Sequence, residues 1–290
     1  MRPKLGLAIP TLNAGSQFYK VLEAIRKQQL SGELRTIIID SGSVDDTTFF
    51  AQKRGIEVYR IDQDKFTHGL VRQMATEILT DCDFVFLMTQ DVLLHKNSLQ
   101  ELLSFIEQHK EMVVAYGRQV AEKARENYFE QMDRNYNYPR TNLVKSEKNT
   151  AKLGIKTVFS SDAFSVYRLS LLKKIGGFPE KIKFAEDMYV AAVAVKNGFQ
   201  VGYCADAVVT HSNDLNLIEL FERYKNIGIF HGQNKWIQNE FGSNEENGIG
   251  LIFSQSHKLL KDKKVMKIPE LFVRSGVKYV GYILGKNMGK

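Results

Sequence analysis

Three short acidic segments stand where an α/β chain could do chemistry. Asp40 closes the apolar run Thr36-Ile37-Ile38-Ile39 and opens the turn Ser41-Gly42-Ser43. A carboxylate there can accept the imide N–H of a pyrimidine or bond a ribose hydroxyl; it can equally serve the turn itself. Asp91 follows the apolar run Phe84–Met88 and the pair Thr89-Gln90. An anionic oxygen at such an edge suits a divalent cation bridging a diphosphate, because magnesium keeps most of its water and needs one or two protein carboxylates. Glu186-Asp187 opens a helical pattern that ends at Gly198, and acids in a first turn complement the helix macrodipole. Walker, G-x-G-x-x-G, His-Glu-x-x-His and G-x-S-x-G motifs are all missing, which argues against a phosphate-loop nucleotidase, a dehydrogenase, a zinc protease and an α/β-hydrolase.

The elements that must position these acids alternate in period. Apolar runs at Leu5–Ile9, Thr36–Ile39, Val58–Ile61, Phe84–Met88 and Met112–Tyr116 read as strands. Helical patterns fall between them at about Gln17–Gln29, Asp45–Arg54, Leu70–Leu79 and Asn97–His109. Strand and helix in alternation predict an α/β fold with a mostly parallel sheet covered on both faces, its ligand beyond the carboxyl ends of the strands. Pro10-Thr11-Leu12-Asn13, Asp40-Ser41-Gly42-Ser43 and Thr89-Gln90-Asp91 all lie at that edge. Residues 118–157 are polar and weakly periodic, and read as a helix around Arg118–Asp133 followed by a loop through Pro139. A helix near Tyr167–Ile175 stops at Gly176-Gly177, another runs from Glu186 to Asn197, and a strand at Gln200–Cys204 precedes Ala207–Thr210 and His211. The expected organisation is a domain over 1–214, with halves at about 1–117 and 118–214, and a helical region over 215–290.

The 290 residues carry a formal charge of +7. Ser256–Lys290 holds nine basic and two acidic residues, a net of +7, so the other 255 residues hold 31 of each and are neutral. A neutral body with a basic end argues against a DNA-binding body and for a tail that meets an anionic surface. On a helical wheel over Ile268–Leu284, Glu270, Arg274, Lys278 and Gly281 share a stripe of about 80° and apolar residues fill most of the rest. Such an arc needs the protein's own core, a membrane interface or a second subunit. Lys258, Lys261, Lys263, Lys264 and Lys267 beside it favour an interfacial helix on anionic lipid over RNA, for which stacking aromatics are too few. Cys82 and Cys204 are too few for a disulfide framework. Five largely apolar residues before Pro10 are too short for a signal-peptide core, and no run approaches the roughly 18–20 apolar residues of a membrane span. The expected location is the cytoplasm, at the inner face of the cell membrane.

Taken in order, Ala8-Ile9-Pro10-Thr11-x-Asn13, Ile39-Asp40-Ser41-Gly42-Ser43, Thr89-Gln90-Asp91 and Glu186-Asp187 resemble the inverting family-2 glycosyltransferases of GT-A fold, over about residues 4–212. The resemblance implies that Pro10, Thr11, Asn13 and Asp40 hold the donor nucleoside, that Gln90 and Asp91 serve the diphosphate and a Mg2+ or Mn2+ ion, and that Asp187 is the general base. Thr89 stands where that family usually has the first acid of Asp-x-Asp. Phe66-Thr67-His68-Gly69-Leu70-Val71-Arg72 looks like the Phe-x-His-Gly-x-x-Arg signature of bacterial rhamnosyltransferases that use dTDP-L-rhamnose, and Thr-Gln-Asp is typical of the same group. In this reading His68-Gly69 precedes a helix N-terminus that favours a phosphate, and Arg72 forks onto a diphosphate oxygen. His211, by the same resemblance, ligates the metal or contacts the diphosphate. Phe159-Ser160-Ser161-Asp162 matches an acceptor-side segment with no role attached. Tyr224, Gly228, Phe230, His231 and Trp236 match a region better explained by helix packing. The implied acceptor is a lipid-linked glycan, as in O-antigen or cell-wall polysaccharide. A UDP-sugar donor, a non-catalytic nucleotide-sugar-binding scaffold and a homodimer through the tail remain as rival readings.

Overall fold

The computed structural model describes residues 2–122, 128–211 and 215–290; for 244–247 it describes the backbone. The chain runs β1 (Lys4–Thr11), α1 (Phe18–Arg26), β2 (Glu33–Asp40), α2 (Thr47–Gln52), β3 (Glu57–Arg60), α3 (His68–Ile78), β4 (Phe84–Met88), β5 (Leu93–Leu94), α4 (Ser98–Glu107) and β6 (Met112–Val120). It continues through α5 (Tyr128–Asn137), β7 (Leu143–Lys145), α6 (Thr150–Leu153), β8 (Phe164–Arg168), α7 (Leu169–Lys174), α8 (Glu186–Lys196) and β9 (Gln200–Thr210). The helices α9 (Leu217–Gln233), α10 (Lys235–Phe241), α11 (Asn244–Lys261) and α12 (Ile268–Met288) complete it.

One sheet carries the order β3-β2-β1-β4-β8-β6-β9-β5, with β7 paired to β9. The first four strands are parallel, and the chain builds β2 and β3 on one side of β1 before placing β4 on the other. That reversal puts a crevice at the carboxyl ends of β1, β2 and β4. β8 then enters antiparallel between β4 and β6, with Phe164 opposite Met88 and Ser165 opposite Tyr116. Because β8 runs the other way, it is its leading end, residue 162 onward, that reaches the crevice. β9 returns parallel to β6 and delivers His211, whose N–H bonds the Val120 carbonyl, to the same edge.

The strands form because their faces are buried on both sides. Leu5, Leu7 and Ile9 of β1 join Phe84, Phe86 and Met88 of β4 against Phe18, Val21, Leu22 and Ile25 of α1 and Leu99, Leu102, Leu103 and Ile106 of α4. Each such side chain contributes about 1.5–3 kcal/mol on burial.

Two local expectations are corrected. Arg118–Val120 are not helical; they extend β6 and pair with Val208–Thr210 of β9. Tyr167 and Arg168 belong to β8, since Tyr167 is fully buried between β4 and β6 and the helix begins at Leu169. The two strand pieces before His211 are one strand, the slip between Cys204 and Val208 opposite Gly117-Arg118 being absorbed as a bulge.

The chain divides into two compact units: 2–122, 138–148 and 158–211 in the first, and 128–137, 149–157 and 215–290 in the second. The second thus takes segments expected within 118–214, because Phe129 and Met132 of α5 share a small core with Leu259 and Leu271. Within it, α9 starts at a capping box in which Asn216 and Glu219 cap each other's backbone. α9 and α12 approach at backbone distance: a Cβ on Gly228 would meet the Tyr282 carbonyl, one on Gly285 the Lys225 carbonyl, and one on Gly281 would come 2.6 Å from the Phe221 carbonyl. Gly228, Phe230 and His231 are buried in this packing.

α12 is turned so that Arg274, Lys278 and Gly281 of its polar stripe face inward, while Glu270 in its first turn stays exposed. Lys278 Nζ bonds Asp133 Oδ2 at 2.9 Å, Gln255 Nε2 donates to Asp133 Oδ1 at 2.6 Å, and Arg274 donates to the Leu215 carbonyl at 3.3 Å. Burial lowers the Lys278 ammonium, but Tyr224 and Asp133 outweigh it and raise it above the usual lysine value. The opposite arc, about 140° wide by helix geometry, holds Phe272, Val273, Tyr279, Val280 and Leu284, all exposed, and no charged residue. Among the described residues no helix is long and apolar enough to cross a membrane.

Candidate active site

The ends of β1 and β2 are in register, Thr11 beside Asp40. Asp40 is buried, and its carboxylate accepts four hydrogen bonds: Oδ1 from the hydroxyls of Thr11 (2.9 Å) and Ser43 (2.6 Å), Oδ2 from the N–H groups of Gly42 (3.1 Å) and Ser43 (2.9 Å). The turn-serving role therefore occupies all of the roughly four acceptor positions of a carboxylate. Asn13 sits at φ 46°, its N–H bonded to Ser43 Oγ at 2.8 Å and its Oδ1 accepting from the Val44 N–H at 2.9 Å. Pro10 lies one residue before Thr11, opposite Ile39. Gln90 spends both ends of its amide on the Leu12 backbone, at 2.8 and 3.1 Å. Pro10, Thr11, Asn13, Asp40 and Gln90 thus form one connected edge, as the sequence suggests.

Asp91 is 49 % exposed at its side chain, and its Oδ2 lies 3.2 Å from Nε2 of the buried His211. His211 Nδ1 faces Gln119 Oε1 at 2.8 Å, and the Gln119 amide nitrogen donates to Ser161 Oγ at 2.8 Å. At 3.2 Å the ring N–H donates to the carboxylate; with the proton on Nδ1 instead, Nε2 and the carboxylate oxygen can both turn lone pairs toward one cation. Burial raises the Asp91 carboxyl, but the His211 ring outweighs it and holds the group at about 2. Two donors and an open side fit a divalent ion that completes its shell with water and substrate oxygens. Among the described residues no group of three or more His, Cys, Asp or Glu side chains is assembled for a metal. Gln119 gave no signal in the sequence, lying near the end of β6 in a stretch that reads as helix.

Asp187 is in the first turn of α8, after Ala185 at φ 64°. Its Oδ2 accepts from the Asp162 N–H at 3.2 Å and its Oδ1 from the Met188 N–H at 2.7 Å. Burial first, and the Asp162 charge second, push its carboxyl up to about 7, where a general base works near neutral pH. Asp162 itself is buried, with Oδ1 accepting from Ser165 Oγ (2.6 Å) and the Tyr167 hydroxyl (2.8 Å). Burial raises Asp162 as well, and raises Glu186 strongly.

The expectation for Arg72 and His68 is corrected. Arg72 is 1 % exposed, donating to the carbonyls of Asp162 (3.0 Å) and Met88 (3.4 Å), with its Nε 3.9 Å from both Asp162 Oδ2 and Glu186 Oε1. Its guanidinium lies beneath the acids and not on a surface a diphosphate could reach. The N-terminus of α3 is likewise occupied: the Gly69 N–H bonds the Ile182 carbonyl at 3.1 Å and the Leu70 N–H bonds Thr67 Oγ1 at 2.9 Å. Burial, with Arg72 adding to it, lowers His68 to about 4, so its ring is neutral near pH 7.

A mixed sheet whose strand order reverses at β1, with an acid-lined crevice at its carboxyl edge, is an arrangement shared with GT-A-type glycosyltransferases. The chain belongs to glycosyl transferase family 2, whose profile matches residues 7–176. It is 38 % identical over 285 residues to the O-antigen chain rhamnosyltransferase RfbN of Salmonella typhimurium, covering 98 % of this chain and 90 % of that one. It is 36 % identical over 286 residues to WbaN of Salmonella anatum, of the same description, with the same coverage. In fold it is similar to Staphylococcus aureus TarS in complex with UDP (TM-score 0.57, 18 % identity, 98 % of this chain and 90 % of that one). It is also similar to the mannosyltransferase PcManGT of Pyrobaculum calidifontis in complex with GDP-Man and Mn2+ (TM-score 0.63, 11 % identity, 99 % and 87 %).

Proposed function

We propose that this glycosyltransferase moves L-rhamnose from dTDP-β-L-rhamnose to a growing, lipid-linked surface glycan, with inversion at the anomeric carbon. The observation that carries the reading is Asp187. Its carboxylate is anchored by two backbone N–H groups and raised to about 7, at the same edge as Asp40 and Asp91. Near full-length similarity to two rhamnosyltransferases supports the sugar.

In this mechanism the edge formed by Pro10, Thr11, Asn13 and Asp40 binds the nucleoside, and Gln90 fixes that edge through Leu12. Asp187 takes the proton of the acceptor hydroxyl, whose oxygen bonds to the anomeric carbon as the bond to the nucleoside diphosphate breaks. No covalent enzyme intermediate forms, and a β-linked donor gives an α-L-rhamnoside. Asp91 and His211 would hold the divalent ion, which when bound offsets the charge developing on the departing diphosphate.

The tail reading is narrower than the sequence alone allows. With Leu271 and Tyr282 turned inward and Phe272, Val273, Tyr279, Val280 and Leu284 outward, α12 offers an uncharged face on the segment that carries the chain's whole net charge of +7. Charge and apolar arc together fit the anionic inner surface of the cell membrane.

The test is calorimetric binding of dTDP-L-rhamnose against UDP-sugars, with Mg2+ or Mn2+, for wild type, Asp40→Asn and Asp91→Asn. Preferential dTDP-rhamnose binding weakened by both substitutions is expected. Tighter UDP-sugar binding would sink the rhamnose assignment, and no nucleotide-sugar binding would leave a scaffold.

A further inference from the structure

We infer that the Phe66-x-His68-Gly69-x-x-Arg72 motif serves the base and not the donor: it clamps the 178–182 segment ahead of α8 and inserts Arg72 as the buried cation that positions Asp187 through Asp162. The inference rests on reading Asp187 as the base.

Three residues on α3 and its cap grip that segment. Thr67 donates its hydroxyl to the Glu180 carbonyl, the Gly69 N–H donates to the Ile182 carbonyl at 3.1 Å, and Gln73 Oε1 accepts from the Phe178 N–H at 2.9 Å. Gly69 is required by distance, since a Cβ there would run into the Pro179 carbonyl. Three residues beyond Gly69, Arg72 donates to the carbonyl of Asp162, the residue whose own N–H holds Asp187 Oδ2. One residue, Asp162, therefore links the guanidinium to the base through the two peptide groups that flank its Cα.

The charge balance points the same way. Asp162, Glu186 and Asp187 are three acids in one buried patch, with Tyr167 of β8 and Tyr116 of β6 close enough to feel Asp187, and Lys145 of β7 on the far side of Tyr116. Neutral His68 lies beside Arg72. Arg72 Nε makes no hydrogen bond and stands midway, 3.9 Å from Asp162 Oδ2 and from Glu186 Oε1. A buried cation so placed favours the ionised acids, and removing it leaves them uncompensated. Asp162 acts on Asp187 in the opposite sense to Arg72. Substitutions at the two positions should therefore move the base in opposite directions, which a purely structural role would not do.

The test uses the full chain, measuring dTDP affinity by calorimetry and the pH dependence of dTDP-L-rhamnose turnover for wild type, Arg72→Gln, Asp162→Asn and Asp187→Asn. Arg72→Gln is expected to bind dTDP within about threefold of wild type. Its turnover at pH 7 falls at least about tenfold, and its acid limb moves up by roughly one pH unit. Asp162→Asn, which keeps an oxygen for Ser165 and Tyr167, moves the limb down. A tenfold or greater loss of dTDP affinity in Arg72→Gln with the limb unmoved would return Arg72 to the diphosphate and overturn the inference. If Arg72→Gln does not fold, Asp162→Asn decides: a limb shifted down supports the inference and an unmoved limb overturns it. Wild-type turnover in Asp187→Asn would instead remove the base assignment itself, a separate failure.

Discussion

Leu12 and Gln90 hold each other by both ends, the Leu12 N–H donating to Gln90 Oε1 at 2.8 Å and Gln90 Nε2 donating back to the Leu12 carbonyl at 3.1 Å. The pair ties the loop after β1 to the loop after β4 across 78 residues of sequence. Gln90→Glu keeps the length but cannot donate, which leaves the Leu12 carbonyl unpaired and adds a charge beside Asp91. A loss of about 1–3 kcal/mol of stability is expected, read as a lower melting temperature, with a fall in dTDP affinity by calorimetry beside it.

As the proposed base, Asp187 would set the acid limb of activity. Turnover is expected to rise with pH through about 7 and to fall about 10²–10⁴-fold in Asp187→Asn, which also loses the limb. The folded carboxyl lies above its unfolded value of 3.8, so its contribution to stability is full below about 3.8 and is lost as pH rises through about 7. Asp187→Asn should accordingly melt higher than wild type at pH 8 and not at pH 4, as scanning calorimetry at the two pH values would show.

The Asp91–His211 pair predicts a metal dependence that reaches one residue further out. His211→Ala removes a donor, and Gln119→Ala frees the ring to rotate, so each should weaken Mn2+ binding by about 10–100-fold. Titration of Mn2+ in the presence of dTDP measures both, and an unchanged affinity in His211→Ala would exclude this pair as the metal's seat.

The contact of α9 with α12 leaves no room for a methyl group. Gly285→Ala must push the helices apart and should cost about 1–3 kcal/mol. Gly276→Ala, on the same helix but with nothing within 4 Å, should stabilise by about 0.5–1 kcal/mol. Thermal melts of the two variants moving in the same direction would show that the packing is not as described.

The outward face of α12 predicts binding to vesicles containing phosphatidylglycerol and little to phosphatidylcholine alone. Phe272→Ser and Tyr279→Ser each remove about 1.5–3 kcal/mol of apolar burial and should weaken sedimentation with vesicles about tenfold or more. High salt should do the same by screening the lysines. A salt-insensitive association of the chain with itself would assign the face to a second copy.

β1 to β4, the first part of β6 and the acids at their ends were legible because short apolar runs alternate with helical patterns and end in polar breaks, whereas the two-residue β5 is too short to show. β8 was not, because Phe164–Arg168 runs straight into the helix at Leu169 with no Gly or Pro between them, so strand and helix read as one pattern. The same masking left Asp162 without a role, since its place beside Asp187 comes from lying just ahead of an antiparallel strand. Arg72 was visible, but its direction was not: four residues after the helix start at His68 it could point to solvent or to the sheet, and a neighbouring Gly69 pressed against Pro179 decides for the sheet. The periodicity of α12 gave the stripe but not its orientation, since a lysine paired with Asp133 and a row of glycines can face inward as well as leucines can.

The saturation of Asp40 changes what recognition at that edge can be. With all four acceptor positions already taken by Thr11, Ser43 and the Gly42 and Ser43 amides, a newcomer offering an N–H or O–H must substitute for a resident donor. Binding there is an exchange of one hydrogen bond for another, nearly neutral in strength, so the residue sorts candidates by whether they match the departing donor's direction. On the proposed nucleoside reading, affinity would then come from elsewhere along the crevice, with Asp40 as the gatekeeper that an ill-fitting base fails to pass.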